Sequence, residues 1–143
     1  MERTIRDVIK QQQLVTAPSS MMVEEAAQLM KAKRIGAMLV VEEGMLAGIF
    51  TERDALNRVV AENRDARTTT LSEVMTRNPS TISPGATFNS ALEMMHRGRF
   101  RHVPVVEDGR PIGMISVRDA MGPELESFVY EMLRQEQFTE VLA

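Results

Sequence analysis

The sequence predicts a mixed α+β fold made of two tandem β-α-β-β-α repeats related by a pseudo-two-fold axis. The first observation is a gapless internal repeat, because a shift of 65 residues places Gly48 on Gly113 and holds over some 40 positions. The second is a matching order of helical and strand patterns in both halves. The third is composition, since 143 residues with 43% hydrophobic and 26% charged side chains are typical of one packed globular unit.

Each half begins with a β-branched segment and an amphipathic helix. Apolar residues recur at the i, i+3, i+4, i+7 spacing of a helix that buries one face. In the first half they are Val23, Ala26, Ala27 and Met30, and in the second they are Phe88, Ala91, Leu92 and Met95.

Two short apolar runs follow each helix and predict a β-hairpin. Residues 38–41 and 46–50 flank an acidic turn that ends in Gly44, and residues 103–106 and 112–115 flank one that ends in Gly109. A second helix then starts at Thr51 and at Ser116. Neither repeat is long enough for a large core of its own, so we expect the two sheets to pack on each other.

These patterns predict five segments. They are a lead-in helix at 1–13, the first repeat at 14–62, a linker at 63–70, the second repeat with its lead-in turn at 71–122, and a C-terminal helix at 123–143. The last helix has an apolar face, and it either covers the edge of the core or binds a second chain.

Composition excludes several functions. The net charge of −3 gives no general attraction to nucleic acid or to anionic membranes, and no run approaches 18 apolar residues. The absence of cysteine excludes disulfides and thiolate chemistry. The two histidines lack a metal-binding pattern, and no nucleophile or phosphate-loop motif is present. We expect a cytoplasmic protein that is not an enzyme and that has no metal.

The most informative motif occurs once per repeat, at the junction of a strand and a helix. Residues 48–54 and 113–119 each contain a glycine, a hydroxyl residue and an aspartate three positions after it, namely Thr51 with Asp54 and Ser116 with Asp119. A hydroxyl and an acid at this spacing form a capping box. The alternative is a ribose site, because the glycine permits close backbone approach and a carboxylate accepts both vicinal hydroxyls.

The second candidate is the basic segment 97–102. Gly98 could follow the helix as a left-handed cap, with Arg97 and Arg99 complementing the helix dipole. This explanation accounts less well for Arg101 and His102, which lead into a core strand, where they could bind phosphate. Binding of nucleic acid by this patch is a weaker alternative.

Together these residues resemble a pair of CBS (cystathionine β-synthase) domains. The resemblance rests on the doubled repeat, the Val74-Met75-Thr76 lead-in, the strand at 101–106 and the two Gly-h-h-Thr/Ser-x-x-Asp endings, where h is an apolar residue. It implies a Bateman module with two clefts that bind an adenosine ligand such as AMP, ATP, NAD or S-adenosylmethionine. It also implies a homodimer.

The same resemblance assigns the site residues. Asp54 and Asp119 would bind ribose hydroxyls, with Thr51 and Ser116 beside them. The adenine pockets would be bordered by Ile35, Gly36 and Ala37 and by Phe100, Arg101 and His102, of which Arg101 and His102 are also placed for phosphate. Thr16, Thr81, Ala26 and Ala91 would line the same clefts. The first repeat departs from the family pattern, because Leu39 replaces the strand proline and Gly36-Ala37 replaces a polar pair.

We therefore expect a regulatory sensor that couples adenine-nucleotide occupancy to an unidentified effector protein. The alternative is a dimerisation adaptor whose clefts stay empty. An enzyme acting on nucleotides would need a general base that the sequence does not show.

Overall fold

The computed structural model describes residues 3–120 and 130–135 and confirms the mixed helix and strand architecture. The elements are α1 (Ile5–Ile9), β1 (Thr16–Ala17), α2 (Val23–Lys33), β2 (Ala37–Glu42), β3 (Met45–Thr51), α3 (Glu52–Asp54), a π-helical segment (Ala55–Val60), α4 (Leu71–Val74), β4 (Thr76–Arg77), α5 (Phe88–Gly98), β5 (His102–Glu107), β6 (Arg110–Ser116) and α6 (Val117–Ala120). Residues 130–135 are helical. The rest of the predicted C-terminal helix, 123–129 and 136–143, lies outside the described residues.

Both predicted hairpins are present and have the same turn. β2 pairs with β3 and β5 with β6, each antiparallel. The residue before each turn glycine also has a positive φ, with Glu43 at 53° and Gly44 at 79°, and Asp108 at 54° and Gly109 at 78°. Two consecutive positive φ angles match the twist of the flanking strands, which explains the acidic-glycine sequence in both repeats.

Helix α5 ends one residue later than a cap at Gly98 would place it. Gly98 is the last residue of α5, and Arg99 is the left-handed cap, with a φ of 56°. The capping role proposed for Gly98 is therefore wrong. A Cβ at Gly98 would overlap the Phe100 ring, so the glycine gives that ring its present position.

The two lead-in helices pack on the opposite repeats. Ile5 and Ile9 of α1 lie in the core of the second repeat, and the backbone N–H of Ile5 donates to the Ala86 carbonyl at 2.9 Å. Leu71 and Val74 of α4 lie in the core of the first repeat. The chain thus crosses between the repeats after each lead-in helix, at residues 13–15 and 78–80.

The sheets reflect the same crossing. The first sheet has the order β1-β2-β3-β4, in which β1 is parallel to β2 and β4 is antiparallel to β3. The second contains β5 and β6, with Ile82 bridged in parallel to Val105. A small cluster joins the two sheets, because Met114 of β6 packs against buried residues of β2 and β3.

Candidate functional site

In the first repeat the hydroxyl–aspartate motif forms a complete capping box at the start of α3. The Asp54 N–H donates to Thr51 Oγ1 at 3.1 Å, and the Thr51 N–H donates to Asp54 Oδ2 at 3.0 Å. The second carboxylate oxygen, Oδ1, lies 3.6 Å from Arg58 Nε. Asp54 is a buried charged residue, with 8% of its surface exposed. The capping interpretation is therefore realised here, and it leaves Oδ1 on one weak ion pair.

The motif of the second repeat has a different hydrogen-bond pattern. The Ser116 N–H donates to Asp119 Oδ2 at 2.7 Å, and the Ser116 hydroxyl donates to the same oxygen at 3.2 Å. The Ser116 hydroxyl thus donates to a carboxylate, whereas the Thr51 hydroxyl accepts from the backbone N–H of Asp54. In both repeats the aspartate Oδ2 accepts a hydrogen bond from the backbone N–H at the start of the helix.

The glycine that begins each motif is required by protein packing. A Cβ on Gly48 would lie 2.7 Å from the Thr76 carbonyl oxygen of β4, and one on Gly113 would lie 2.8 Å from Ile9 of α1. Both contacts come from the lead-in segment that packs on that repeat. The close approach expected at these glycines is therefore made by the chain itself.

Each motif lines a cleft together with the other repeat. The Asp54 cleft, of about 370 Å³, contains Thr51 and Asp54 from the first repeat and Phe100, Arg101 and His102 from the second. The Asp119 cleft, of about 1010 Å³, contains Ser116 and Asp119 from the second repeat and Ile35, Gly36 and Ala37 from the first. The structure thus brings together ten of the predicted site residues as two composite clefts. The crossing segments 13–15 and 78–80 line the Asp119 and Asp54 clefts, respectively.

Four predicted residues lie elsewhere. Ala26 and Ala91 are fully buried in the two cores and lie outside both cleft linings, because their helices turn this face toward the sheets. Thr16 and Thr81 are exposed and also outside both linings. Their preceding neighbours, Val15 and Ser80, line the clefts instead.

Sequence reasoning missed several polar lining residues. They are Gln12, Lys31, Arg34, Glu52, Arg53, Asn78 and Arg118. Glu52, Arg53 and Arg118 lie within the recognised motifs and could have been included on position alone. Gln12 and Asn78 could not, because only the exchange of lead-in segments brings them to a cleft.

His102 lies on a wall that both clefts share with Glu52 and Arg101. Burial lowers the pKa of His102 from its ordinary value of 6.5. Glu52 and Asp119 oppose this shift, whereas Arg118 and Arg101 add to it. A lowered pKa leaves the imidazole neutral at pH 7, with one nitrogen as a donor and the other as an acceptor.

The part of the chain that the structure describes shows neither a cluster suited to a metal ion nor a helix with the length and apolar character needed to cross a membrane.

Two similar halves that jointly line two clefts define a tandem-repeat module. A model of the CBS domain matches residues 5–61 and 71–122. The CBS domain-containing protein YhcV of Bacillus subtilis is 34% identical over 107 residues, which cover 75% of this chain and 76% of YhcV. The chain therefore belongs to the CBS domain family and is a CBS domain pair, a regulatory class of module.

Solved structures agree with this assignment. A candidate signal-transduction protein with CBS domains from Burkholderia ambifaria matches with a TM-score of 0.76 and 34% identity, over 81% of this chain and 89% of that one. The CBS domain pair of protein MJ0100, in complex with 5′-methylthioadenosine and S-adenosyl-L-methionine, matches with a TM-score of 0.76 and 28% identity, over 84% and 94%. The chain spans 21% of the length of CBS domain-containing relatives from Arabidopsis thaliana.

Proposed function

We propose that this CBS pair is a non-catalytic sensor that binds an adenosine ligand, such as AMP, ATP, NAD or S-adenosylmethionine, and passes its occupancy to a partner protein. The observation that carries the proposal is the composite build of each cleft, in which a hydroxyl–aspartate pair of one repeat faces the strand start of the other. The complex of the MJ0100 pair with two adenosine compounds supports the choice of ligand.

The chemistry of the motif suits a ribose. In both repeats Oδ2 of the aspartate is held by a backbone N–H, which fixes the carboxylate, while Oδ1 is the oxygen that can accept the vicinal hydroxyls. In the Asp54 cleft the ribose would compete with the 3.6 Å contact to Arg58, which is a weak pair. Asp54 and Asp119 are thus the proposed ribose residues, with Thr51 and Ser116 beside them.

The facing segments would hold the rest of the ligand. Residues 35–37 would border the base in the Asp119 cleft, and residues 100–102 would do so in the Asp54 cleft. The guanidinium of Arg101 and the imidazole of His102 would reach phosphate, since both line each cleft.

Signalling follows from the same geometry. A ligand that contacts both repeats stabilises one arrangement of the two, and a partner that recognises this arrangement is sensitive to occupancy. We propose that the module acts as a homodimer in the cytoplasm. The lining of the clefts supports binding, because the Asp54 and Asp119 carboxylates are held at helix starts and His102 lies on the wall that the two clefts share.

A thermal-shift panel tests this function. AMP, ADP, ATP, NAD, NADH and S-adenosylmethionine are added to the wild-type chain, since a ligand at 100 times its Kd stabilises the native state by about 2.7 kcal/mol. We expect a selective shift that Asp54→Ala and Asp119→Ala each reduce. Glu73→Ala is a matched control, because it removes the acid of the capping box on α4 and lines neither cleft.

The second candidate is an adaptor with empty clefts. The complete capping box at Thr51 and Asp54 favours it, because the motif then has a sufficient structural role. An adaptor predicts no shift with any of the six compounds in protein shown to carry no ligand from purification. It also predicts that the two aspartate variants and Glu73→Ala differ from the wild type in stability alone.

A further inference from the structure

The two clefts differ in size and in charge. The Asp119 cleft has nearly three times the volume of the Asp54 cleft, about 1010 Å³ against about 370 Å³. Two carboxylates line the Asp119 cleft, Glu52 and Asp119, against four cations: Lys31, Arg34, Arg101 and Arg118. The charges that line the Asp54 cleft balance, and they are Glu52, Asp54, Arg53 and Arg101.

The cations of the Asp119 cleft are available to a ligand. Within the described residues, the side chains of Lys31, Arg34, Arg101 and Arg118 make no ion pair and donate no hydrogen bond, and all four are exposed. The cation specific to the smaller cleft is already engaged, since Arg53 donates to the Arg99 carbonyl at 3.1 Å. The chain as a whole has a net charge of −3, so this positive cleft opposes the overall charge.

The positive groups come from three separate elements. Lys31 lies in the last turn of α2 and Arg34 is its left-handed cap, Arg101 precedes β5, and Arg118 lies in α6. A concave wall with an excess of cations attracts an anion more strongly as the charge of that anion rises, so it favours a chain of phosphates over a single phosphate. Guanidinium groups in particular bind phosphate oxygens through two parallel hydrogen bonds.

We propose that the two clefts divide ligands by charge, and this inference rests on the adenosine-binding function above. The Asp119 cleft takes a nucleotide with a chain of several phosphates. The smaller, balanced Asp54 cleft takes an adenosine compound with at most one phosphate. The module then responds to two ligand species at once, and Arg101 lies where both are bound.

Binding to single-cleft variants tests the proposal. Adenosine, AMP, ADP and ATP are titrated calorimetrically into Asp54→Ala, which keeps the larger cleft, and into Asp119→Ala, which keeps the smaller one. We expect affinity to rise at least about tenfold from AMP to ATP in Asp54→Ala, and to stay level or fall in Asp119→Ala. The ATP affinity of Asp54→Ala should weaken steeply with added salt. Equal phosphate dependence in the two variants would overturn the proposal.

A charge variant identifies the responsible groups. Lys31→Ala/Arg118→Ala, made in the Asp54→Ala background, should lose about tenfold or more in ATP affinity and a clearly smaller factor in adenosine affinity, since adenosine carries no phosphate. Lys10→Ala/Lys33→Ala is the matched control, because it removes the same charge from exposed residues outside both clefts. An equal loss in both double variants would show a general charge effect and overturn the assignment.

Inorganic tripolyphosphate separates this inference from the proposed function. It carries the charge of the phosphate chain without adenosine. If no adenosine compound binds, the proposed function is wrong. The wild type could still bind tripolyphosphate, and loss of that binding in Lys31→Ala/Arg118→Ala would support a polyanion-binding cleft. If adenosine compounds bind but Lys31→Ala/Arg118→Ala leaves the affinities for tripolyphosphate and ATP unchanged, the division of ligands by charge is wrong and the adenosine-binding function still holds.

Discussion

The side-chain amide of Gln12 pairs with both backbone polar groups of Met114. Gln12 Nε2 donates to the Met114 carbonyl at 2.7 Å, and the Met114 N–H donates to Gln12 Oε1 at 3.0 Å. Met114 lies on the edge strand β6, whose outward N–H and C=O groups have no neighbouring strand to pair with. In the first repeat the corresponding edge, β3, pairs with the backbone of β4. One amide thus substitutes for a short strand.

Gln12→Ala should lower the free energy of unfolding by about 1–2 kcal/mol, since two hydrogen bonds are lost. Gln12→Glu should lower it by at least as much, because a carboxylate cannot donate to the Met114 carbonyl. Denaturant midpoints measure both. Gln13→Ala, at an exposed neighbour, should match the wild type, and a Gln12→Glu chain as stable as the wild type would contradict the pairing.

Ile5→Ala tests the exchange of lead-in helices. Ile5 is fully buried in the core of the second repeat, so its truncation should cost about 2–5 kcal/mol. Amide hydrogen exchange should show the loss of protection first in β5 and β6. Leu56→Ala, at a residue 61% exposed, should change little. Loss of protection beginning in β2 and β3 would mean that α1 packs on its own repeat.

Gly48→Ala should destabilise the protein by about 1–3 kcal/mol. Its Cβ would lie 2.7 Å from a backbone oxygen, Thr76 O, which cannot move aside as a side chain can. Gly85→Ala is the control, since nothing lies within 4 Å of a Cβ there. Chemical denaturation of the two variants gives the comparison, and equal midpoints would refute the close packing of β4 on β3.

His102 makes stability depend on pH in a defined window. Its pKa is lowered in the folded state, mainly by burial, so below about pH 6.5 the unfolded chain binds a proton that the folded chain does not. Stability should therefore fall as the pH drops through 6.5 toward the folded pKa. Glu52 and Asp119 limit the shift, and Arg101 and Arg118 increase it.

Denaturation at pH 7.5 and pH 5.5 measures this effect. His102→Gln should lose less stability between these values than the wild type. His96→Gln, at the exposed second histidine, should retain the full loss. The lowered pKa values of Asp65 and Glu73 act at lower pH, because both carboxyls ordinarily titrate below 5. Equal losses in both histidine variants would rule out His102 as the source.

Much of the fold could be predicted because local sequence patterns specify its helices, strands and turns. The 65-residue repeat, the helical spacing of Phe88, Ala91 and Met95 and the acidic-glycine turns each specify an element through backbone preference. The exchange of α1 and α4 could not be predicted. Both helices carry buried apolar residues that suit either core, and only the three-dimensional crossing at 13–15 and 78–80 decides which core receives them.

The candidate site divides in the same way. The Thr51–Asp54 and Ser116–Asp119 motifs were recognisable because their spacing has a local meaning at a helix start. Ala26 and Ala91 belong to the apolar pattern of their helices, which predicts their burial in the cores, whereas only the resemblance places them at the clefts. Lys31 and Arg34 were missed because exposed cations at the end of a helix are ordinary until a cavity is seen beside them.

The stoichiometry of AMP binding shows most directly whether each hydroxyl–aspartate motif supplies one composite cleft. Equilibrium dialysis at saturating AMP should give two molecules per wild-type chain, one in Asp54→Ala, one in Asp119→Ala and none in the double variant, while Glu73→Ala still binds two. A double variant that binds as much AMP as the wild type would mean that the two aspartates do not hold the ligand.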